Sequence, residues 1–197
     1  MLSKFVRRTH MYLALFLFPW VLMYALSTLV MNHRASFVAR YGPGAPPYAI
    51  ERTTRYDGAF SETAPLREIS RTVLTTLDLD GAHGVSRGPD GTIVITRNDL
   101  TTPRRITYAP ADGKLVIERM EYRTNAFLER FHRRRGYASG YALDNTWAVS
   151  VDLFIAATIF WTLSGIWMWW EMKVTRPAGL LAAISGAAIF VFYVFAI

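Results

Sequence analysis

The chain has 197 residues, 52% apolar and 19% charged, with 22 Lys and Arg against 15 Asp and Glu and no cysteine. The missing thiol excludes disulfides, thiolate zinc sites, iron–sulfur clusters and a cysteine nucleophile. A formal charge of +7 admits nucleic acid or anionic lipid as a partner, and the placement of the arginines decides between them. The apolar residues are segregated: Met11–Met31 and Trp147–Trp170 carry almost no charge, whereas Arg34–Leu143 is dense with it. That is the pattern of a membrane protein carrying a soluble domain.

Met11–Met31 rises about 31 Å as a helix, enough to cross a hydrocarbon core. Tyr12, Tyr24, Ser27 and Thr28 are its mild polar members, and Pro19 falls at mid-depth. Lys4, Arg7 and Arg8 would suit a signal peptide. The apolar run is longer than a usual signal core, however, and Ala25-Leu26-Ser27 is a poor cleavage site, so a retained signal-anchor is expected.

Thr146–Trp170, about 37 Å long, is the second predicted span, and Ala178–Ile197 is the third. Gly179, Ala183 and Gly186 or Ala187 stand at a spacing that lets backbones approach closely, which predicts packing on the first two helices or on a partner subunit. The link Glu171–Pro177 makes the last two spans a hairpin.

Cations flank both ends of the spans: Lys4, Arg7, Arg8, Lys173 and Arg176 at one, Arg34, Arg40, Arg130, Arg133, Arg134 and Arg135 at the other. Only short loops count toward orientation. The basic tail and hairpin loop therefore predict a cytoplasmic N-terminus, with residues 34–143 and the C-terminus outside.

After His33, Tyr41-Gly-Pro-Gly-Ala-Pro-Pro reads as a linker, 34–60, with ordered structure beginning near Ser61. A helix then starts at Ser61-Glu-Thr-Ala-Pro-Leu and carries an apolar stripe of Leu66, Ile69, Val73, Leu74 and Leu77. Strands are predicted at Gly91–Thr96, Arg104–Tyr108 and Lys114–Glu118, with a further candidate at Ala82–Ser86. Together they make a helix on a small antiparallel sheet over 61–122. Glu121–Gly136 reads as an amphipathic helix lying among lipid headgroups, within a segment 123–145 that leads to the hairpin 146–197. Over Arg34–Leu143 as a whole the cations are modestly in excess and widely spread, and no base-reading module accompanies them, so nucleic acid is not expected as a partner.

Two stretches resemble the PepSY-associated transmembrane family. One is Arg7-Arg-Thr-His10 with its apolar helix and Asn32-His33. The other runs from Phe131-His132-Arg133 through Asp152-Leu-Phe to Leu163-Ser-Gly-Ile-Trp-Met-Trp-Trp170. Ser61–Tyr122 is similar to a PepSY domain in size and order. The resemblance implies a membrane α-helical fold: three transmembrane helices with a small α+β domain, extracytoplasmic and inserted between the first two, in a bacterial inner membrane. The chain looks like the short, three-helix version of a fold whose larger members include haem-containing membrane reductases and sensor-like proteins.

Haem is the sharpest chemistry the resemblance implies, and bis-imidazole ligation needs two facing histidines. His10 and His33 lie about 35 Å apart on one helix and cannot share an iron. His33 and His132, both at the outer interface, are the pair that remains, with Arg34, Arg133 and Arg134 as propionate partners. The same arginines equally suit phospholipid phosphates. Other constellations are weaker. His132, Ser139 and Asp144 lack the context of a hydrolytic triad, and His83 with Asp78 or Asp80 lacks the spacing of a calcium loop. Asp152, about 9 Å into its helix, reads as a capping or ion-paired acid. Trp167, Trp169 and Trp170 mark an aromatic belt.

The expectation is therefore a non-catalytic membrane protein, an accessory, assembly or regulatory subunit with other membrane subunits and anionic lipid headgroups as partners and no cofactor. The alternative is a b-type haem protein using His33 and His132. Modulation of a peptidase or a sensor by the PepSY-like domain is a third possibility.

Overall fold

A computed structural model of the chain describes residues 2–58, 60–61, 64–134, 136–137 and 140–197. Glu62, Thr63, Arg135 and Ser139, which entered the sequence reading, lie outside these residues. The elements in order are α1 (Leu2–Asn32), α2 (Arg34–Tyr41), β1 (Tyr48–Arg55), α3 (Leu66–Thr76), β2 (His83–Arg87), β3 (Ile93–Arg97), β4 (Arg104–Ala109), β5 (Lys114–Met120), α4 (Thr124–His132), α5 (Ala142–Glu171) and α6 (Arg176–Ala196). A short 3-10 turn, Lys173–Thr175, joins the last two helices. The chain forms two compact units: residues up to Val21 with Val151–Ile197, and Leu22–Ser150.

In the second unit the five strands form one antiparallel sheet in the order β1-β5-β4-β3-β2. Side chains alternate across a strand, so Ile93 and Ile95, Ile106 and Tyr108, and Leu115 and Ile117 fall on one face. There they meet Ile69, Val73 and Leu74 of α3 in a single sealed core. Each such side chain contributes about 1.5–3 kcal/mol by leaving water. The edge strands β1 and β2 bury no residue.

Gly113 sits in the β4–β5 turn at φ +67, where a Cβ would lie 2.7 Å from the Tyr56 carbonyl. A positive φ and that close approach together require glycine.

Three sequence expectations need correction here. The stretch 34–60 is not a linker: the helix α2 and the strand β1 both lie in it, and order begins well before Ser61. Backbone pairing with β5 holds β1, from Tyr48↔Met120 to Arg55↔Lys114 with a bulge between Ile50 and Arg52, so no apolar alternation was needed. Second, the predicted helix Glu121–Gly136 is confined to Thr124–His132. Two arginines of the stretch also bond the backbone of the sheet domain: Arg130 donates to the Leu100 carbonyl (3.1 Å) and Arg134 to that of Asn98 (3.0 Å). Third, the predicted α3 begins at Leu66 rather than Ser61, behind Pro65.

The first unit holds α6 and parts of α1 and α5. All three helices are long and apolar enough to cross a membrane. Of the two expectations for the small-residue face of α6, packing on the other helices of the chain is not seen, for α6 buries no residue and a Cβ at Gly186 would have nothing within 4 Å. Gly179 instead admits the indole of Trp169, whose Nε1 would lie 1.9 Å from a Cβ.

Candidate functional site

Burying a polar group in an apolar setting is costly unless it is bonded. The buried polar or charged residues among those described are Ser27, Ser70, Asp144 and Ser164, and each bonds an imidazole or a guanidinium. Ser164 Oγ on α5 lies 2.8 Å from His10 Nδ1 on α1, and Trp161 stacks on the same ring at 5.3 Å. Ser27 Oγ on α1 lies 2.7 Å from His132 Nδ1 on α4, with the Tyr24 ring edge-on at 5.0 Å. Ser70 Oγ on α3 lies 3.0 Å from His83 Nε2, whose Nδ1 meets the Gly81 carbonyl at 2.8 Å. Asp144 at the start of α5 accepts from Arg134.

The protons follow from the partners. A serine hydroxyl has one hydrogen, and a backbone carbonyl can only accept. Ser27 donates to the Tyr24 carbonyl (2.9 Å) and Ser164 to that of Trp161 (2.8 Å). His132 and His10 therefore donate from Nδ1 to the serine oxygens, an assignment made by the hydrogen-bond network.

The predicted haem pair does not come together in this way. His33 is exposed at the junction of α1 and α2 and makes no side-chain cap there. Six residues separate it from Ser27, which holds His132, placing it about 240° round the helix. Among the described residues no hydrogen bond or ring contact joins His33 to His132. Of the propionate candidates, Arg133 pairs with Glu129 at 2.7 Å, Arg134 with Asp144, and Arg34 is exposed. A single haem between His33 and His132 does not fit this arrangement.

The other constellations also dissolve. His132 and Asp144 serve Ser27 and Arg134 instead of a triad, and Asp80 accepts from Thr75 at 3.0 Å rather than facing His83. Among the described residues no group of three His, Asp or Glu is placed to hold a metal ion. Asp152 is exposed.

The sequence reading missed Ser70 and Ser164 as partners of histidines. A serine in a strongly apolar helix, or on the buried stripe of an amphipathic one, is the signal that finds them. It also missed a basic cavity of about 300 Å³ beside α2 and α4, lined by Arg34, Arg123, Arg130 and Arg133.

Three helices fit to span a bilayer, with a small antiparallel sheet between the first two in sequence, define a multi-pass membrane protein. The chain matches the PepSY_TM-like family over residues 1–197 and belongs to that family. The match agrees with the resemblance carried by Arg7–His10 and Leu163–Trp170. No curated protein and no solved structure matches the chain.

Proposed function

We propose that the protein is a non-catalytic subunit of a larger membrane complex, anchored by three helices in a bacterial inner membrane and displaying its sheet domain outside the cytoplasm. The observation that carries this reading is the inward commitment of its polar chemistry. His10, His83, His132 and Arg134 each hold a buried partner in the same chain, so these side chains join elements to one another. The surface left over on α6 is apolar and, beyond its first turn, exposed within the chain, suited to lipid and neighbouring subunits. The basic tail and hairpin loop support a cytoplasmic N-terminus.

The test is the visible absorption spectrum of protein extracted from haem-replete membranes, read beside its migration on a native gel. A colourless protein that migrates in a larger assembly is the expected result. A Soret band lost in both His33→Ala and His132→Ala overturns this reading and makes the protein a b-type haem carrier.

A further inference from the structure

The cavity beside α2 and α4 carries a charge that its own contacts leave uncompensated. Its four guanidiniums, Arg34, Arg123, Arg130 and Arg133, face a single lining carboxylate, Glu129, which Arg133 engages at 2.7 Å. Arg123 reaches Glu121 at 3.4 Å, but that carboxylate is 53% exposed and lies outside the lining. Arg130 bonds Met120 Sδ at 3.2 Å and the Leu100 carbonyl at 3.1 Å, and no described carboxylate pairs with it. Burial pushes its guanidinium below the ordinary arginine value, opposed by the phenols of Tyr48 and Tyr122 rather than by an acid.

Three polar atoms in the same lining are buried without a hydrogen-bond partner: Nε of Arg123, Nε of Arg130 and Oδ1 of Asn125. Native structures seldom leave such atoms unsatisfied, and a desolvated guanidinium without an anion is costly. An incoming anion removes both costs. With its amide turned over, an orientation set by whatever it bonds, Asn125 presents N–H donors as well.

The position narrows the anion. Arg34 follows the last residue of α1 by two positions, so the cavity begins where the first membrane helix ends. Phe37, Val38 and Met120 give it an apolar wall beside the arginines, as a headgroup with the start of its acyl chains requires. Arginine forks match phosphate oxygens two at a time.

We propose that this cavity binds a phosphate group, and that its source is the headgroup of an anionic phospholipid seated between α2 and α4. The inference deepens the reading of anionic headgroups as partners, and it stands or falls separately from the subunit role, which the absorption spectrum and native gel decide.

The full chain in neutral detergent is titrated with phosphatidylglycerol, phosphatidylcholine or inorganic phosphate, and binding is followed by native mass spectrometry and thermal unfolding. Phosphatidylglycerol should bind about ten-fold or more tightly than phosphatidylcholine, as expected when charge-assisted bonds are added. Arg130→Gln should remove most of that preference. Arg34→Gln, at an exposed position where folding is not at stake, should weaken it by about three-fold or more, while Arg71→Gln on exposed α3 surface should leave it unchanged. Equal retention of the two lipids overturns the proposal. So does unchanged phosphatidylglycerol binding in Arg34→Gln and a folded Arg130→Gln. Inorganic phosphate reproducing the full stabilisation at matched concentration assigns the pocket to a free anion and overturns the lipid source.

Discussion

The sheet core and the last helix are built from the same kinds of side chain and treat them in opposite ways. Ile95, Ile106, Val73 and Leu74 are 0% exposed, while Leu181, Ile189 and Phe190 on α6 are 68%, 60% and 70% exposed. Hydrophobicity alone therefore does not say what a residue packs on. In the sheet domain it drives side chains against one another; on α6 it leaves them exposed within the chain. The polar residues invert the contrast, since the buried contacts of α1 and α5 include serines bonded to histidine.

The largest expected effect breaks this comparison at its apolar end. Ile95→Ala removes a fully enclosed side chain and should cost about 2–5 kcal/mol, the range for large-to-small changes in a core that cannot collapse. Hydrogen exchange of the β3, β4 and β5 amides in the detergent-solubilised chain measures it. Ile189→Ala on α6 should change the stability of the isolated chain by no more than about 0.5 kcal/mol. If it costs as much as Ile95→Ala only in native membranes, a partner subunit covers α6 there.

The next effect breaks the polar half. Ser27→Ala leaves the His132 Nδ1–H without its acceptor in a buried place, and the loss should be about 1–3 kcal/mol. Ser185→Ala on α6 removes only a bond from an exposed hydroxyl to the Leu181 carbonyl (2.8 Å) and should be close to neutral. Thermal unfolding of the two variants side by side checks the difference. Equal effects would mean that the His132–Ser27 bond joins nothing of consequence.

The same contrast explains what could be read from the sequence. The membrane helices are legible because a bilayer demands a long, nearly continuous apolar run, and β3, β4 and β5 because their inward residues alternate. The strand β1, Tyr-Ala-Ile-Glu-Arg-Thr-Thr-Arg, was illegible because an edge strand held by backbone pairing and by ion pairs across the sheet leaves no such alternation. Glu51 on β1 reaches Arg104 on β4 at 2.7 Å, a contact no local pattern announces. The histidines were legible as residues that matter, but not with their partners. Ser27 and His132 are 105 positions apart and Ser164 and His10 are 154 apart, so only the folded arrangement couples them. The basic cavity was half legible, in that the cations of α4 stood out, while Arg123 and Asn125 needed α2 to give them a common space.

The smallest expected effect concerns the sheet surface opposite α3, where Arg105 on β4 forks onto Glu118 on β5 at 2.6 and 2.9 Å and covers the Tyr48 ring. Donation from Arg105 holds the Glu118 carboxyl below its ordinary value of 4.5. The folded state thus releases this proton more readily than the unfolded chain does. The resulting stabilisation is fully present above the unfolded-state value and is lost as pH falls through the lower folded-state value. Because Arg105 is 41% exposed, solvent screens the pair and its worth should stay under about 1 kcal/mol. Glu118→Gln should therefore lower stability slightly at neutral pH, with a gap to the parent chain that closes on acidification and narrows in high salt. The remaining acid sensitivity then belongs in part to Glu51, held down in the same way by Arg104. A gap that persists undiminished at acidic pH would show that Glu118 acts through packing on its neighbours and not through its charge.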